Sequence, residues 1–393
     1  MNILYILTFY GLLQPKGGGQ NRFINLTNQM KRKNKMTIME SEEHIHPDDE
    51  KLGTVYEYND VKIFQRALPL SRDFNLNYIR KLFKVFDDEN IDVIILSHPS
   101  GAIITKLILK VLGKNIPVIY DAHNVESNFT RDIFSENEGY SRLDRFLIPF
   151  YVGFLEKFSC KYLFDHIMAV SEKDKDVFIK TYNLNDKISI IPSGCSPKPL
   201  LSSDDRMKLK KDYGIDPGSI VIVFHGSYSH PANQEAFKLI RDSIAPEFEG
   251  KDVIFLVGGS GMPVLDKPNF KSIGFIEDLW DFLSIADIAV APILRGGGTK
   301  LKLMDYLSAG LPIITTNKGI EGIDALNNVQ VMVVNSVNQE FTGKIRYLIE
   351  NKDERKRIGE NARKLAENTY DWKIIGDELN KFLSEEFSNY GNN

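Results

Sequence analysis

The sequence predicts an α/β protein made of two doubly wound domains. Short apolar runs rich in β-branched residues alternate with segments of helical periodicity along the chain. This alternation is typical of parallel sheets covered by helices on both faces. A strand followed by a glycine-rich loop and a helix occurs twice, in residues 3–33 and again in residues 288–309. Each expected domain therefore has its own turn of the nucleotide-binding type.

Composition narrows the functional classes. The chain has 393 residues, of which 42% are hydrophobic, so two or three domains with real cores are expected. A formal net charge of -4 argues against a nucleic-acid binder. Two cysteines suit a reducing compartment better than a disulfide framework. The apolar N-terminus lacks a basic n-region, and the sequence has no apolar run long enough to span a membrane, so we expect a cytoplasmic protein.

The first half of the chain contains six candidate strands. They are residues 3–9, 61–66, 93–97, 118–122, 167–170 and 188–191. Candidate helices are residues 21–33, 76–86, 102–112 and 143–164, and Ser171 is expected to cap a further one. Because ligands of open α/β sheets bind beyond the carboxyl ends of the strands, Asp121, His123, Asn124 and Glu126 become candidate site residues.

The helix predicted over residues 143–164 is unusually rich in aromatic residues, with arginines and lysines spaced through it. One interpretation is a helix that touches a membrane surface and approaches a lipid-linked acceptor. The other is a buried helix that leads into the next strand, and we favour this second interpretation.

The second half begins after a linker rich in proline and serine at residues 195–205. Strands are expected at residues 220–224, 253–257, 271–275, 288–294 and 313–316, and helices after residue 230, at 279–285, at 299–309 and over most of 353–387. The segment 292–322 contains three glycines, Gly296, Gly297 and Gly298, and then Thr299 as the expected N-cap of a helix that ends at Gly310. Backbone amides and a helix dipole meet there, and Lys300 and Lys302 add positive charge, so the segment suits a diphosphate. An ordinary strand–loop–helix connection with two solvated lysines is the alternative.

This segment resembles the donor-binding segment of retaining glycosyltransferases of family 4. The matching residues are Gly296, Gly298, Thr299, Leu301, Lys302, Ala309, Gly310 and Pro312. The resemblance implies the GT-B fold, two facing Rossmann-like domains with an interdomain cleft. It implies an acceptor-side domain over residues 1–196, a nucleotide-sugar domain over 197–372, and a C-terminal helix over 373–393 that crosses back to the first domain. Asp305 stands where the family usually has a ribose-binding glutamate, and Gly297 stands where many members have an earlier glutamate.

Other peptides resemble the same family. Residues 120–126, YDAHNVE, resemble a family segment whose histidine faces the cleft. The resemblance therefore implies that His123 is catalytic, and Lys302 is the second residue expected to be catalytic. Asp121, Asn124, Ser227 and Glu321 are implied as further cleft residues. The first glycine loop implies that Gly18 and Gly19 contact the donor diphosphate together with Gly297, Gly298, Thr299, Lys300 and Lys302. The G-F-I-E-D turn implies a nucleobase pocket at Phe275 and Ile276, while Asp278 in the same turn is interpreted as a helix N-cap.

The activity implied is transfer of a sugar from a nucleoside-diphosphate sugar to a hydroxyl of a glycan or lipid-linked glycan, with retention. The expected enzyme uses neither a metal nor a separate cofactor, binds no nucleic acid, and works in the cytoplasm with a peripheral contact at the inner face of the membrane. A non-catalytic nucleotide-sugar-binding relative and a GT-B epimerase are the alternatives.

Overall fold

The computed structural model describes residues 1–7, 18–41, 52–59, 75–136, 141–184, 186–388 and 390. The chain divides into two compact units. The first comprises Met1–Ser193 with Trp372–Asn393, and the second comprises Gly194–Asp371. The strand predicted over residues 61–66 lies outside the described ranges.

The first unit is built on a seven-stranded parallel sheet. Its strands are β1 (Asn2–Ile6), β2 (Lys35–Ser41), β3 (Thr54–Tyr58), β4 (Val93–Leu96), β5 (Val118–Ala122), β6 (His166–Ala169) and β7 (Ile188–Ile190), in the order β3-β2-β1-β4-β5-β6-β7. The strand order reverses between β1 and β4, so a ligand crevice is expected at the carboxyl ends of these strands. β4 and β5 are buried along their whole length, as continuous apolar runs in a doubly covered sheet require.

Seven described helices cover this sheet. They are α1 (Gly18–Met30), α2 (Leu76–Asp88), α3 (Ala102–Val111), α4 (Glu126–Glu136), α5 (Arg142–Tyr162), α6 (Glu172–Tyr182) and the C-terminal α13 (Trp372–Phe387). Ser171 caps α6 by accepting from the Asp174 amide, as its sequence position predicts. Helix α13 packs on α1, where the Asn380 side chain donates to the Gln29 carbonyl at 3.0 Å.

The second unit contains another seven-stranded sheet. Its strands are β8 (Ile220–His225), β9 (Val253–Gly258), β10 (Val264–Lys267), β11 (Phe270–Ile273), β12 (Ile288–Ala291), β13 (Ile313–Thr316) and β14 (Val331–Val334), in the order β10-β11-β9-β8-β12-β13-β14. Only β10, at one edge, runs antiparallel to its neighbour. The described helices are α7 (Ser203–Asp212), α8 (Pro231–Leu239), α9 (Leu279–Ser284), α10 (Leu301–Ser308), α11 (Gln339–Glu350) and α12 (Lys352–Leu365).

The strand order of the second unit reverses between β8 and β12. The turn after β8 begins at Gly226, and the loop after β12 contains Gly296, Gly297 and Gly298. Both therefore start at the position where doubly wound sheets bind ligands. The sequence did not predict β2, β3, β10 or β14; polar residues interrupt the first three, and β14 is an apolar run of only four residues.

Helix α5 is neither wholly buried nor wholly exposed. Ile148, Val152 and Leu155 face the interior, whereas Phe146 and Phe150 are about two-thirds exposed. The buried-helix interpretation is therefore wrong for the aromatic face. Among the helices in the described ranges, none combines the length and the apolar character needed to cross a membrane.

Candidate functional site

The glycine loop of the second unit is held by Lys300. Its ammonium donates to the carbonyl oxygens of Gly296, Gly297 and Gly298 at 3.0, 3.0 and 2.6 Å. Gly296 and Gly298 have φ values of 94° and 69°, a left-handed conformation that favours glycine. Lys300 thus has a contact within the loop that the sequence did not predict.

The start of helix α10 differs from the prediction. Lys300, with extended backbone, is the N-cap residue, and its side chain makes no capping bond. Thr299 is not the N-cap, and its hydroxyl instead lies 3.5 Å from the Gly322 carbonyl oxygen. This contact joins the glycine loop to the loop after β13, where Glu321 pairs with Lys318 at 2.9 Å.

Lys302 connects α10 to the turn after β8. Its ammonium donates to Oδ1 of Asn233 at 2.5 Å and lies 4.2 Å from the centre of the Phe224 ring. The Asn233 amide in turn donates to the Ser227 carbonyl at 2.7 Å. A side chain at Gly226 would place its Cβ 2.8 Å from the Lys302 ammonium, so a larger residue there would displace the ammonium. Burial, together with the nearby Lys300 charge, lowers the pKa of Lys302 to about 7.

Asp305 lies one helical turn after Lys302. Its Oδ2 is 3.4 Å from Nε2 of His225, and about a third of its side chain is exposed, at 32%. Burial raises the pKa of Asp305, and the Lys302 charge opposes this shift. His225, the last residue of β8, is a site residue that the sequence analysis missed. Burial lowers its pKa to about 3, so it is neutral near pH 7.

The predicted nucleobase turn follows β11. Phe275 is 71% exposed, while Ile276 packs against Gly258 at the end of β9. Asp278 accepts hydrogen bonds from the Trp280 and Asp281 amides at 2.7 and 3.0 Å, which confirms its interpretation as the N-cap of α9.

In the first unit, the candidate His123 follows β5. Its Nε2 lies 3.1 Å from Oδ2 of Asp121, and its Nδ1 is buried without a partner in the described ranges. Nε2 is therefore the donor to the carboxylate, and Nδ1 is left as an acceptor. Only 8% of the His123 side chain is exposed.

Asp121 is fully buried and lies behind His123. It accepts from Arg22 Nε at 3.0 Å, from Arg22 Nη2 at 2.7 Å and from the Tyr5 hydroxyl. Burial alone would raise the pKa of Asp121, but Arg22 and His123 hold it well below its usual range. Asp121 therefore fixes the orientation of the His123 ring from its buried side. The sequence pattern did not predict Arg22 or Tyr5 as site residues, although Arg22 follows the glycines of residues 17–19 and Tyr5 lies in β1.

The other predictions in this unit have mixed outcomes. Gly18 and Gly19 are the first two residues of α1, and the residues before them fall outside the described ranges. Burial and then the Glu156 charge raise the pKa of Glu126 to about 8. A hydrogen bond from Asn124 to Glu126 opposes this shift, because it favours the charged form of Glu126. Glu156 accepts from the Glu126 and Ser127 amides at 2.8 and 2.9 Å.

Comparison with protein families gives two matches. The model described as Glycosyltransferase Family 4 matches residues 16–198, and the model described as Glycosyl transferases group 1 matches residues 219–351. The first falls on the unit that contains His123, and the second covers the glycine loop with Lys302.

Comparison with individual proteins agrees with these families. The chain is 24% identical over 352 residues to an uncharacterized glycosyltransferase, MJ1069, of Methanocaldococcus jannaschii, covering 83% of this chain and 85% of that protein. It resembles the crystal structure of HepE from Anabaena in complex with UDP, with a TM-score of 0.74, 14% identity and coverage of 98% and 100%. It also resembles sucrose-phosphate synthase from Thermosynechococcus elongatus, with a TM-score of 0.76, 11% identity and coverage of 99% and 100%.

Proposed function

The chain is a glycosyltransferase with the GT-B fold, and we propose that it moves a sugar from a nucleoside-diphosphate sugar to an acceptor hydroxyl with retention. The observation that carries this proposal is the position of the Lys302 ammonium. It lies partly buried between the turn after β8 and the helix after the glycine loop, at the point where the strand order of the second unit reverses. A cation in that place matches the diphosphate of a nucleotide sugar.

The donor nucleotide is proposed to occupy the carboxyl edge of β8, β12 and their neighbours. Lys302 keeps its hydrogen bond to Asn233 and donates another to the diphosphate, and the Gly297, Gly298 and Thr299 segment with Lys300 forms the other wall. Asp305 accepts from the ribose hydroxyls, and the Phe275–Ile276 turn contacts the base. The HepE structures contain UDP and, in another crystal, UDP-glucose, which supports a uracil nucleotide as the first donor to test.

The proposed reaction needs no nucleophile from the protein. The bond between the anomeric carbon and the diphosphate oxygen breaks, and the acceptor oxygen forms a new bond to the same face of that carbon. The acceptor proton passes to the departing diphosphate. Negative charge grows on the diphosphate during this step, and the Lys302 ammonium stabilises it. We propose that no metal ion and no separate cofactor take part.

The acceptor is proposed to bind the first unit near His123. Asp121 fixes the imidazole through Nε2, which holds the ring in place for contact with a sugar or acceptor hydroxyl. The acceptor class that we propose is a glycan or a lipid-linked glycan, used in the cytoplasm at the inner face of the membrane.

A thermal-shift screen of uracil, guanine, adenine and thymine nucleotide sugars tests the donor proposal. A ligand that binds only the folded state raises the melting temperature, so one nucleotide series should stand out. The same screen on Lys302→Ala, with Lys238→Ala on the exposed face of α8 as a matched control, should lose the shift only in the first variant. Equal shifts in both variants, or none with any nucleotide sugar in the parent, would contradict the proposed donor site.

Product analysis tests the reaction itself. The donor that stabilises the parent is incubated with chelator and an acceptor mixture, and the anomeric configuration of the product is compared with that of the donor. Inverted product, or activity abolished by the chelator, would reject the stereochemical or the metal-free part of the proposal.

A further inference from the structure

Helix α5 carries an exposed aromatic row that no part of the proposed donor chemistry uses. The row consists of Phe146, Phe150, Phe154, Phe158 and Tyr162, which recur at every fourth residue. Their exposed fractions are 68, 67, 61, 37 and 66%. Residues four apart are neighbours on a helix, and each such step turns by about 40°, so the five rings form one continuous row about 24 Å long that winds across the exposed side of the helix. Leu143 and Leu147, also exposed, extend it at the helix N-terminus.

The row is a preformed surface and not a set of separate exposed residues. The rings of Phe146 and Phe150 stack at 6.3 Å between centroids, and those of Phe154 and Phe158 stack at 6.2 Å. The opposite face of the helix is anchored in the unit through Ile148, Val152 and Leu155. A contiguous apolar surface of this kind on a stably packed helix marks an interaction site.

The charged side chains of α5 indicate what kind of partner binds the aromatic row. Each helical residue advances by roughly 100°, which places Lys157 and Lys161 within the arc of the aromatic row. Both lysines are exposed, as is Arg142 at the helix start. Of the two acidic residues of α5, Glu156 is buried and Asp144 accepts from the Ser141 hydroxyl at 2.7 Å. With Arg142, Lys157 and Lys161 against the single carboxylate of Asp144, the exposed face of the described helix is apolar and carries a net positive charge.

We propose that this face of α5 docks the protein on an anionic lipid surface. The rings enter the boundary between headgroups and acyl chains, and the lysine stems follow them while the ammonium groups stay among anionic headgroups. A second copy of the chain fits less well, because a two-fold contact through the same face would bring together Arg142, Lys157 and Lys161 of each copy with only one carboxylate per copy that is not buried, that of Asp144. The docking deepens the proposed function, which already places the enzyme at a membrane, because it names the surface that binds there. It rests on that function where it places the enzyme beside a lipid-linked acceptor.

Vesicle flotation of the purified full-length chain, without nucleotide, tests this proposal. The parent should float with vesicles of phosphatidylcholine mixed with phosphatidylglycerol, less with phosphatidylcholine alone, and less again at high salt. The variant Phe146→Ser, Phe150→Ser, Phe154→Ser should lose at least about tenfold in vesicle partitioning. The control Leu76→Ser, Leu107→Ser, Val111→Ser removes comparably exposed side chains elsewhere in the same unit and should bind like the parent.

Two double variants test whether the lysine charges contribute to vesicle binding. Lys157→Glu with Lys161→Glu should abolish the preference for anionic vesicles, whereas Lys84→Glu with Lys110→Glu, which are also exposed, should leave most of it. A melting curve of each variant shows whether it is folded. For a direct probe, the Phe150→Trp indole should shift its emission to shorter wavelength when anionic vesicles are added.

Three results would overturn the docking proposal. The first is that the parent does not float with anionic vesicles. The second is that the emission of the indole at residue 150 does not change when the vesicles are added. The third is that the parent is a dimer and the serine variant is a monomer. The last result would assign the row to a second copy. Nucleotide-sugar shifts measured on the same proteins remain independent of these outcomes, so failure of lipid docking is distinguishable from failure of the donor proposal.

Discussion

Lys302 and Asn233 lie on two different helices, and the lysine ammonium donates to the asparagine Oδ1 at 2.5 Å. Asn233 is held from its other side, since its amide donates to the Ser227 carbonyl at 2.7 Å. The ammonium is thus fixed over the turn after β8 before any ligand binds. Preorganised charge of this kind stabilises a leaving group without reorganisation during the reaction.

Lys302→Ala should lower turnover at saturating donor by at least about tenfold, which corresponds to roughly 1.4 kcal/mol of transition-state stabilisation. Lys300→Ala should do less, because Lys300 contacts carbonyl groups of its own loop. Steady-state kinetics of both variants with chelator present is the measurement. Full turnover in Lys302→Ala would show that another group stabilises the departing diphosphate.

Donor affinity should depend on pH near neutrality. The pKa of Lys302 is about 7 in the free protein because the group is buried. A bound diphosphate raises it, so binding takes up a proton once the free lysine is neutral. Affinity should be nearly constant below pH 7 and fall by up to about tenfold per pH unit above it. Titration calorimetry with UDP-glucose from pH 6 to pH 9 measures this, and Lys302→Arg, which stays charged, should flatten the profile.

Asp305→Ala should weaken donor binding by roughly 1.5–3 kcal/mol, as expected for lost hydrogen bonds to a charged group. Asp305→Glu, which supplies the residue usual in the resembling family, should bind nearly as well as the parent. Calorimetry with the same nucleotide sugar compares the three proteins. Parental affinity in the alanine variant would remove Asp305 from the ribose site.

His123→Ala should reduce turnover much more than nucleotide affinity, because the imidazole belongs to the first unit and not to the nucleotide site. His166→Ala, in the neighbouring strand β6, provides a histidine control outside the proposed acceptor site. A loss of nucleotide affinity with normal turnover at saturation would contradict the assignment of His123.

Glu126→Gln should raise stability, increasingly so between pH 5 and pH 8. In the folded chain, burial and then the Glu156 charge raise the pKa of Glu126 to about 8 from the ordinary 4.5. Between these values the unfolded chain loses its proton and the folded chain keeps it, so this contribution to stability is lost as pH rises. A glutamine at this position does not titrate, so the variant does not lose this stability as pH rises. Thermal melts across this range measure the difference, and equal pH dependence in both proteins would refute it.

Glu156→Gln provides the contrasting case. Glu156 accepts from two backbone amides and from Tyr182 at 2.6 Å, so its replacement leaves strong donors poorly matched. We expect this variant to melt lower than the parent at every pH tested.

Local sequence determined much of this protein. The cap at Asp278, the glycines before α10 and the strand Ile313–Thr316 all follow from residues within a few positions of each other. Such features depend on backbone geometry and short-range hydrogen bonds, which neighbouring residues specify. The alternation of strands and helices likewise predicted the doubly wound class.

The partners of the site residues were decided only by the tertiary structure. Asn233 is 69 positions from Lys302, and Arg22 is 99 positions from Asp121, so no local pattern joins them. For α5, the four-residue repeat of aromatic rings is visible in the sequence, but which face of a helix is buried depends on what packs against it. In the folded chain, Ile148, Val152 and Leu155 are buried, and the aromatic row is exposed to solvent. Long-range packing sets each side chain's partner, exposure and pKa, because burial and charge act through space and not along the chain.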